Sequence, residues 1–193
     1  MKKPHLYILL AGLFSATSCQ KTEKPDIDQK PFAKQDSASL VKKGEYLVTI
    51  TGCNDCHTPK RMGPKGPELI TELLLSGYQG KNAVPEFDLE RAKSGFAQMS
   101  PDMTAAAGSW GISFAANLTP DETGIGSWTF EQFKTAITQG KYKGMENGRP
   151  LLPPMPWFNY SEMKDEDVRG IFAYLKSIKP VKNVVPPPKQ FEK

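Results

Sequence analysis

Histidine and cysteine, the side chains that most often hold transition metals, are scarce in this sequence. It has two histidines and three cysteines among 193 residues. An excess of charge of one sign is also lacking, because 25 Lys and Arg stand against 21 Asp and Glu. With no basic run, this balance indicates neither nucleic acid nor an anionic membrane surface as a partner. The length suits a single domain of ordinary size.

Long hydrophobic runs are missing as well, and the clearest apolar run lies near the N-terminus. Residues 6–14 follow Lys2 and Lys3 and are too few to span a bilayer, which is typical of an export signal. The small residues before Cys19 look like the lipobox of bacterial lipoproteins, a resemblance that implies cleavage before Cys19 and lipid on its thiol. An ordinary signal peptide that leaves a stray thiol is the alternative.

The residues after Cys19 are polar and poor in apolar side chains, as in a flexible tether. We therefore predict a signal peptide over residues 1–18, a tether over 19–38 and a folded domain that begins at residue 39. The expected location is the periplasmic side of a bacterial membrane, with the protein held there by a lipid anchor.

The two remaining cysteines lie in the motif Cys53-Asn54-Asp55-Cys56-His57. Two thiols at this spacing can form thioethers to the two vinyl groups of one haem, while the adjacent histidine reaches the iron. A thioredoxin-like pair would need surrounding βαβ strands, and no alternating apolar strands flank the motif. Half of a zinc site would need ligands that the chain lacks once His5 leaves with the signal peptide. The motif therefore predicts one covalent haem c, with iron bound by His57.

The second ligand of the iron must then be another residue type, and methionine is the natural candidate. Met155 lies in the segment 151–158, where prolines on both sides stiffen the backbone and apolar neighbours shield a thioether from water. We predict His57 and Met155 as the axial ligands. Met163 and then Met145 are the alternatives, and Met155 could instead only pack against the haem edge.

Apolar residues recur at helical spacing before the motif and near the C-terminus. The first stripe predicts a helix over residues 38–52, and the last predicts a helix that begins at Asp165 and stops before Pro180. A helix between them begins at Thr129, with Gln132 completing a capping box.

Proline and glycine mark the middle of the chain as loop-rich. The sequence has 17 prolines and 16 glycines, which cluster between residues 59 and 156. A structureless connection of the length between the motif and residue 114 is unusual, so short helices are expected around 69–75 and 87–96.

This order of helix, Cys-x-x-Cys-His, middle helix, methionine loop and final helix resembles the class I cytochrome c family over residues 39–186. The resemblance implies an all-α cytochrome c fold, with three or more helices around one haem and long connecting loops. Residues 187–193 would form a C-terminal tail. The resemblance also implies that the first and last helices cross near a small residue, with Gly44 against residues 172–175.

Two further tracts carry more specific resemblances. Gly66-Pro67-Glu68-Leu69 looks like the Gly-Pro-x-Leu segment of the family, which implies that the Pro67 carbonyl accepts the His57 proton and orients the ring. Residues 114–128 and 153–157 are similar to cytochromes that accept electrons from periplasmic alcohol and aldose dehydrogenases. Such relatives often carry two or three haems, whereas this chain has one motif.

The expected function is single-electron transfer by a haem that cycles between ferric and ferrous iron, without catalytic residues. Its partners would be redox proteins of the periplasm or membrane. One alternative is a haem-bearing accessory subunit of a periplasmic dehydrogenase. Another is a haem protein that reacts with peroxide or a small ligand, which would need a polar distal group.

Overall fold

The computed structural model describes residues 37–191. The predicted signal peptide, Cys19 and most of the predicted tether lie outside these residues. The helices are α1 (Ser37–Ile50), α2 (Cys53–His57), α3 (Leu89–Lys93), α4 (Phe130–Gln139) and α5 (Asp165–Ser177). The strands are β1 (Lys60–Gly63), β2 (Gly66–Leu69), β3 (Gln98–Met99), β4 (Ala105–Gly108) and β5 (Gly111–Phe114). Between residues 37 and 191, no helix has the length and apolar character needed to cross a membrane.

Helices α1 and α5 cross at a pair of glycines. Gly44 of α1 is buried against the backbone of Gly170 and the Cβ of Tyr174 in α5. Beside the crossing, the Lys43 ammonium lies 2.6 Å from the Asp167 carboxylate. The predicted crossing at Gly44 is confirmed, and its centre lies at Gly170, slightly before the predicted residues 172–175.

The ends of the helices follow local signals. Thr129 caps α4, and its side chain and that of Gln132 form the predicted capping box, while Gly140 ends the helix with φ 64°. Helix α1 ends at Ile50 rather than at the predicted residue 52, because Gly52 turns the chain with φ 73°. That left-handed residue separates α1 from α2.

The main core lies where α1, α4 and α5 meet the chain around Leu75 and Ile125. Its buried members are Val48, Leu75, Ile125, Phe133, Ile137, Tyr160, Val168, Ile171 and Leu175. A smaller cluster of Ala92, Ala107 and Ile112 lies under partly buried aromatic residues. The inward face of each long helix thus has the apolar stripe that its sequence predicts.

Two small antiparallel sheets correct the all-α expectation. β1 pairs with β2 as a hairpin, and β3, β4 and β5 form a second sheet in that order. Each strand has two to four residues, and β4 is Ala-Ala-Ala-Gly, so neither period-two alternation nor β-branched residues mark that strand. The predicted short helices are confirmed in reduced form, as the 3₁₀ turn Thr71–Leu73 and α3.

The last described residues are also part of the packed structure. Lys189 exchanges two backbone hydrogen bonds with Ile112, of 2.7 and 2.9 Å. Phe191 packs against the smaller cluster. Residues 189–191 of the predicted C-terminal tail thus contact the domain, because the edge of β5 offers backbone groups with which this segment pairs.

Candidate haem site

Helix α2 places the three motif side chains on little more than one turn. Gly52 starts this turn, and its carbonyl accepts the Asp55 amide at 2.9 Å. The thiols of Cys53 and Cys56 are free and half-buried, while the exposed fraction of His57 is 9%. Both thiols and the imidazole therefore project from one short, well-defined element.

The environment of the two cysteines differs from that of a redox dithiol. Burial raises the pKa of Cys53, with the hydroxyl of Thr51 at 3.4 Å as a smaller opposing effect. Burial also raises the pKa of Cys56, although the charge of Lys60 opposes it. A disulfide oxidoreductase lowers the pKa of its attacking thiol, so this site has the opposite electrostatics.

The ring of His57 is fixed by a single backbone carbonyl. Its Nδ1 lies 2.8 Å from the oxygen of Ala116, which can only accept a hydrogen bond, so Nδ1 carries the proton. The lone pair of the neutral ring is then on Nε2, the atom that an iron would bind. Burial lowers the pKa of His57 more strongly than the Ala116 contact raises it, which favours the neutral imidazole that a metal requires.

The orienting role predicted for Pro67 is wrong in this structure. Pro67 is an exposed residue of β2 that pairs with Met62 of β1, and the carbonyl bound to His57 belongs to Ala116 instead. Pro67 does not lie beside His57, because residues 66–69 pair with β1 in a surface hairpin. No local sequence signal identifies Ala116, which lies 59 residues after His57.

Ala116 is held in place by the chain segment around Gly77. The Gly77 amide donates to the His57 carbonyl at 2.7 Å, and the Tyr78 amide donates to Ala115 at 3.0 Å. A Cβ on Gly77, whose φ is 74°, would overlap the Ala115–Ala116 peptide. Gly77 therefore contacts the backbone of both residues that this hydrogen bond joins.

Replacing Gly77 by alanine should loosen this support. An L-residue in the left-handed region costs about 1–2 kcal/mol, and the new Cβ also displaces the Ala116 carbonyl. We expect a lower unfolding temperature and faster solvent exchange of the His57 Nδ1 proton, followed by proton NMR. Gly66→Ala is the matched control, since Gly66 has φ 119° but its Cβ would meet no atom within 4 Å. Equal exchange rates in both variants would contradict this role.

Lys60 adds a fixed positive charge beside α2. Its ammonium lies 2.6 Å from the carbonyl oxygen of Asp55, 3.1 Å from that of Thr58 and 3.2 Å from that of Asp102. It thereby joins the end of α2 to the loop between β3 and β4. No sequence pattern indicates this role of Lys60, because its partners are backbone carbonyls, which every residue type has.

The loop that contains Met155 is anchored at both ends. The Leu151 amide donates to the Gly140 carbonyl at 2.7 Å, and the Trp157 ring lies against Gly140. The Pro153 carbonyl accepts a hydrogen bond of 2.6 Å from Ser113, and the peptide between Pro153 and Pro154 is cis. The loop thus joins the end of α4 to strand β5.

The three candidate methionine ligands differ in burial. Met155 and Met163 are partly buried and pack against the main core. Met145 is 50% exposed, which suits a thioether ligand less well because water competes for the metal. Burial therefore favours Met155 and Met163 over Met145.

The donor set fits a covalent haem. Free thiols at positions 53 and 56, a neutral imidazole with its lone pair on Nε2 and half-buried thioethers are the groups that such a cofactor uses. Apolar side chains of the main core lie beside Cys53, as a flat apolar ring would require.

Comparisons with known proteins give the family. The family model for cytochrome c matches residues 41–179. The cytochrome subunit of fructose dehydrogenase from Gluconobacter japonicus is 30% identical over 73% of this chain and 22% of its own length. The cytochrome c subunit of gluconate 2-dehydrogenase from Pantoea cypripedii is 30% identical over 72% of this chain and 23% of its own. The cytochrome c subunit of a quinone alcohol dehydrogenase from Gluconacetobacter polyoxogenes is 30% identical over 87% of this chain and 28% of its own.

The match thus covers most of this chain, which spans about a quarter of the length of the curated relatives it matches. The likeness extends over both the haem motif and the methionine loop, since the family model matches through residue 179. This chain belongs to the cytochrome c family and carries a covalently bound haem c.

Proposed function

We propose that this chain transfers single electrons through one haem c and catalyses no reaction of its own. The observation that carries the proposal is the geometry of His57, a neutral imidazole oriented by Ala116 on the same turn as two free thiols. The haem supplies an iron that alternates between ferric and ferrous forms. The protein needs only to hold it rigidly in an apolar setting.

Each motif residue has a separate task in this proposal. Cys53 and Cys56, both on α2, would form the two thioethers to the haem. His57 is the first axial ligand of the iron. Its hydrogen bond to Ala116 makes the imidazole more basic, which favours the ferric form, while its burial disfavours extra positive charge and favours the ferrous form.

Met155 is the proposed second axial ligand. Its half-burial against the core and the anchored backbone on both sides support this role. Because the loop is already rigid, a weak thioether ligand loses less conformational entropy when it binds. Met163 remains the first alternative, because it is partly buried against the same core.

A reaction with peroxide or a small gas is less well supported than electron transfer. Such chemistry needs an open iron and a polar proton shuttle on the distal side. His57 is the only histidine of the sequence outside the predicted signal peptide, and it is committed to the proximal side.

A role as an accessory subunit of a dehydrogenase has its own support. The three relatives are by name cytochrome subunits of fructose, gluconate and alcohol dehydrogenases. We propose that this chain likewise receives electrons from a dehydrogenase of the periplasm. Copurification of a stoichiometric partner would favour a fixed subunit, and a chain that purifies alone would favour a free carrier.

The proposed location follows from the N-terminal sequence. We propose that residues 1–18 are removed as a signal peptide, that Cys19 is lipidated and that residues 19–38 tether the domain beside a bacterial membrane. Helix α1 begins at Ser37, so the last two residues of this predicted tether already belong to the first helix of the domain. Mass spectrometry of the protein from its native host tests this, since an unmodified Cys19 would disprove the anchor.

The visible spectrum of the purified holoprotein tests the function. We expect a weak ferric band at about 695 nm, typical of a methionine ligand, and no change of the ferrous spectrum with carbon monoxide. The physical reason is that two strong-field axial ligands leave the iron no open position. A missing band together with ready carbon monoxide binding would contradict the carrier proposal and favour a small-ligand protein.

A further inference from the structure

Strand β5 and the residues after it contact the segments of both proposed axial ligands. Ser113 Oγ donates to the Pro153 carbonyl at 2.6 Å, two residues before Met155. Three residues after Ser113, the Ala116 carbonyl accepts from His57 Nδ1 at 2.8 Å. One short stretch of backbone therefore touches the proximal side and the methionine side of the site.

This stretch is held on both edges. Residues of β5 pair with β4 in the register Ser113 to Ala106. On the other edge, Ile112 exchanges hydrogen bonds of 2.7 and 2.9 Å with Lys189. The Ala115 amide also donates to Thr104 at 2.8 Å. A strand that is paired on both sides cannot shift without breaking several hydrogen bonds.

The methionine loop needs such a support, because it has few backbone donors of its own. Pro153, Pro154 and Pro156 have no amide hydrogen, which leaves Met155 as the one N–H donor among these four residues. That amide makes a long bond of 3.3 Å to Leu152 within the loop. Ser113 is 9% exposed, and its hydroxyl also accepts a bond of 3.2 Å from the Trp110 indole. The chain Trp110 to Ser113 to Pro153 thus ties the loop to the sheet.

We propose that the β3–β5 sheet is a common support for both axial ligands and that Ser113 is the positioning residue for Met155. This inference rests on the proposed function, in which Met155 binds the iron. In this proposal, the long segment between the haem motif and α4 fixes the distance between the two ligand segments.

The test is competition for the sixth position of the ferric iron. Imidazole is added to the holoprotein, and its affinity is read from the loss of the band at about 695 nm. Removing one hydrogen bond from the loop in Ser113→Ala should tighten imidazole binding about threefold to tenfold, because the methionine is held less firmly. Ser177→Ala is the matched control, since its exposed hydroxyl at the C-terminal end of α5 donates to the Tyr174 carbonyl at 2.8 Å.

A second pair keeps the test decisive if Ser113→Ala does not mature. Ser113→Thr retains the hydroxyl and Ser113→Val replaces it by a methyl group of nearly equal volume, and both side chains suit a strand. Valine should bind imidazole about threefold to tenfold more tightly than threonine. Equal affinities in this pair, with the band present in the wild type, would overturn the role of Ser113. A wild type without the band would instead contradict Met155 as ligand.

Discussion

Gly44→Ala should lower the unfolding temperature of the holoprotein by about 4–8 °C, since a net loss of about 2 kcal/mol remains after the gain in helix propensity and each kcal/mol shifts a chain of this size by about 2–4 °C. The new Cβ would overlap the Gly170 carbonyl oxygen and lie 2.8 Å from the Tyr174 Cβ. The obstacle is backbone of the opposing helix, which has no rotamer into which it can move. Overpacking costs about 1–3 kcal/mol, and a clash with backbone belongs at the upper end.

The partner glycine of the same crossing supplies the control. A Cβ on Gly170 would meet its nearest atoms at 3.4–3.6 Å, which is ordinary van der Waals contact. Both glycines lie in helices, so both variants gain the same helix propensity of about 1 kcal/mol. Gly170→Ala should therefore unfold at or above the wild-type temperature. Equal losses in the two variants, measured by circular dichroism, would mean that the helices can slide apart at this crossing.

Part of the fold could be predicted from the sequence, because it depends on local features of α1 and α4. Gly44 stands within an apolar stripe, which predicts a buried face of α1, and the resemblance to class I cytochromes c implied the helix crossing at this residue. Thr129 and Gln132 likewise mark the start of α4 through a local capping box. These features depend on residues that are neighbours in the chain, and they were confirmed by the structure.

The parts that could not be predicted depend on contacts between distant segments. The Ala116 carbonyl that orients His57 carries no residue-specific signal, since any amino acid has such a carbonyl. Strand β4 consists of alanine and glycine, and it forms because β3 and β5 pair with it on either side. The resemblance to class I cytochromes c implied Pro67 for the orienting role, whereas in the structure the Ala116 carbonyl lies beside His57 Nδ1.

The long segment between the haem motif and α4 also links the site to the end of the chain. Asn183 donates to the carbonyls of Ser76 and Tyr78 at 2.7 and 2.9 Å, on either side of Gly77. Asn117, next to Ala116, donates to the Val181 carbonyl at 2.9 Å. The segment after α5 therefore supports both the backbone around Gly77 and the backbone next to Ala116. Local order at His57 depends on residues more than a hundred positions away, which no window of sequence could indicate.

Met155→Ala should change the electronic properties of the haem iron more than any substitution in the supporting sheet. Loss of a thioether ligand removes the ferric band at about 695 nm and opens the iron to carbon monoxide in the ferrous form. The reduction potential should fall by on the order of 0.1–0.3 V, a fraction of the range of about 0.8 V that axial ligands span. The reason is that a thioether stabilises ferrous iron, and water or hydroxide in its place stabilises ferric iron.

Met163→Ala is the control that separates ligation from packing. Both methionines are partly buried against the main core, so both substitutions remove apolar contacts and both should lower the unfolding temperature. Only Met155→Ala should lose the band, bind carbon monoxide and shift the potential, as measured by spectroelectrochemistry. If Met163→Ala loses the band while Met155→Ala retains it, the ligand is Met163, and the loop anchored by Ser113 would lie beside the haem without binding its iron.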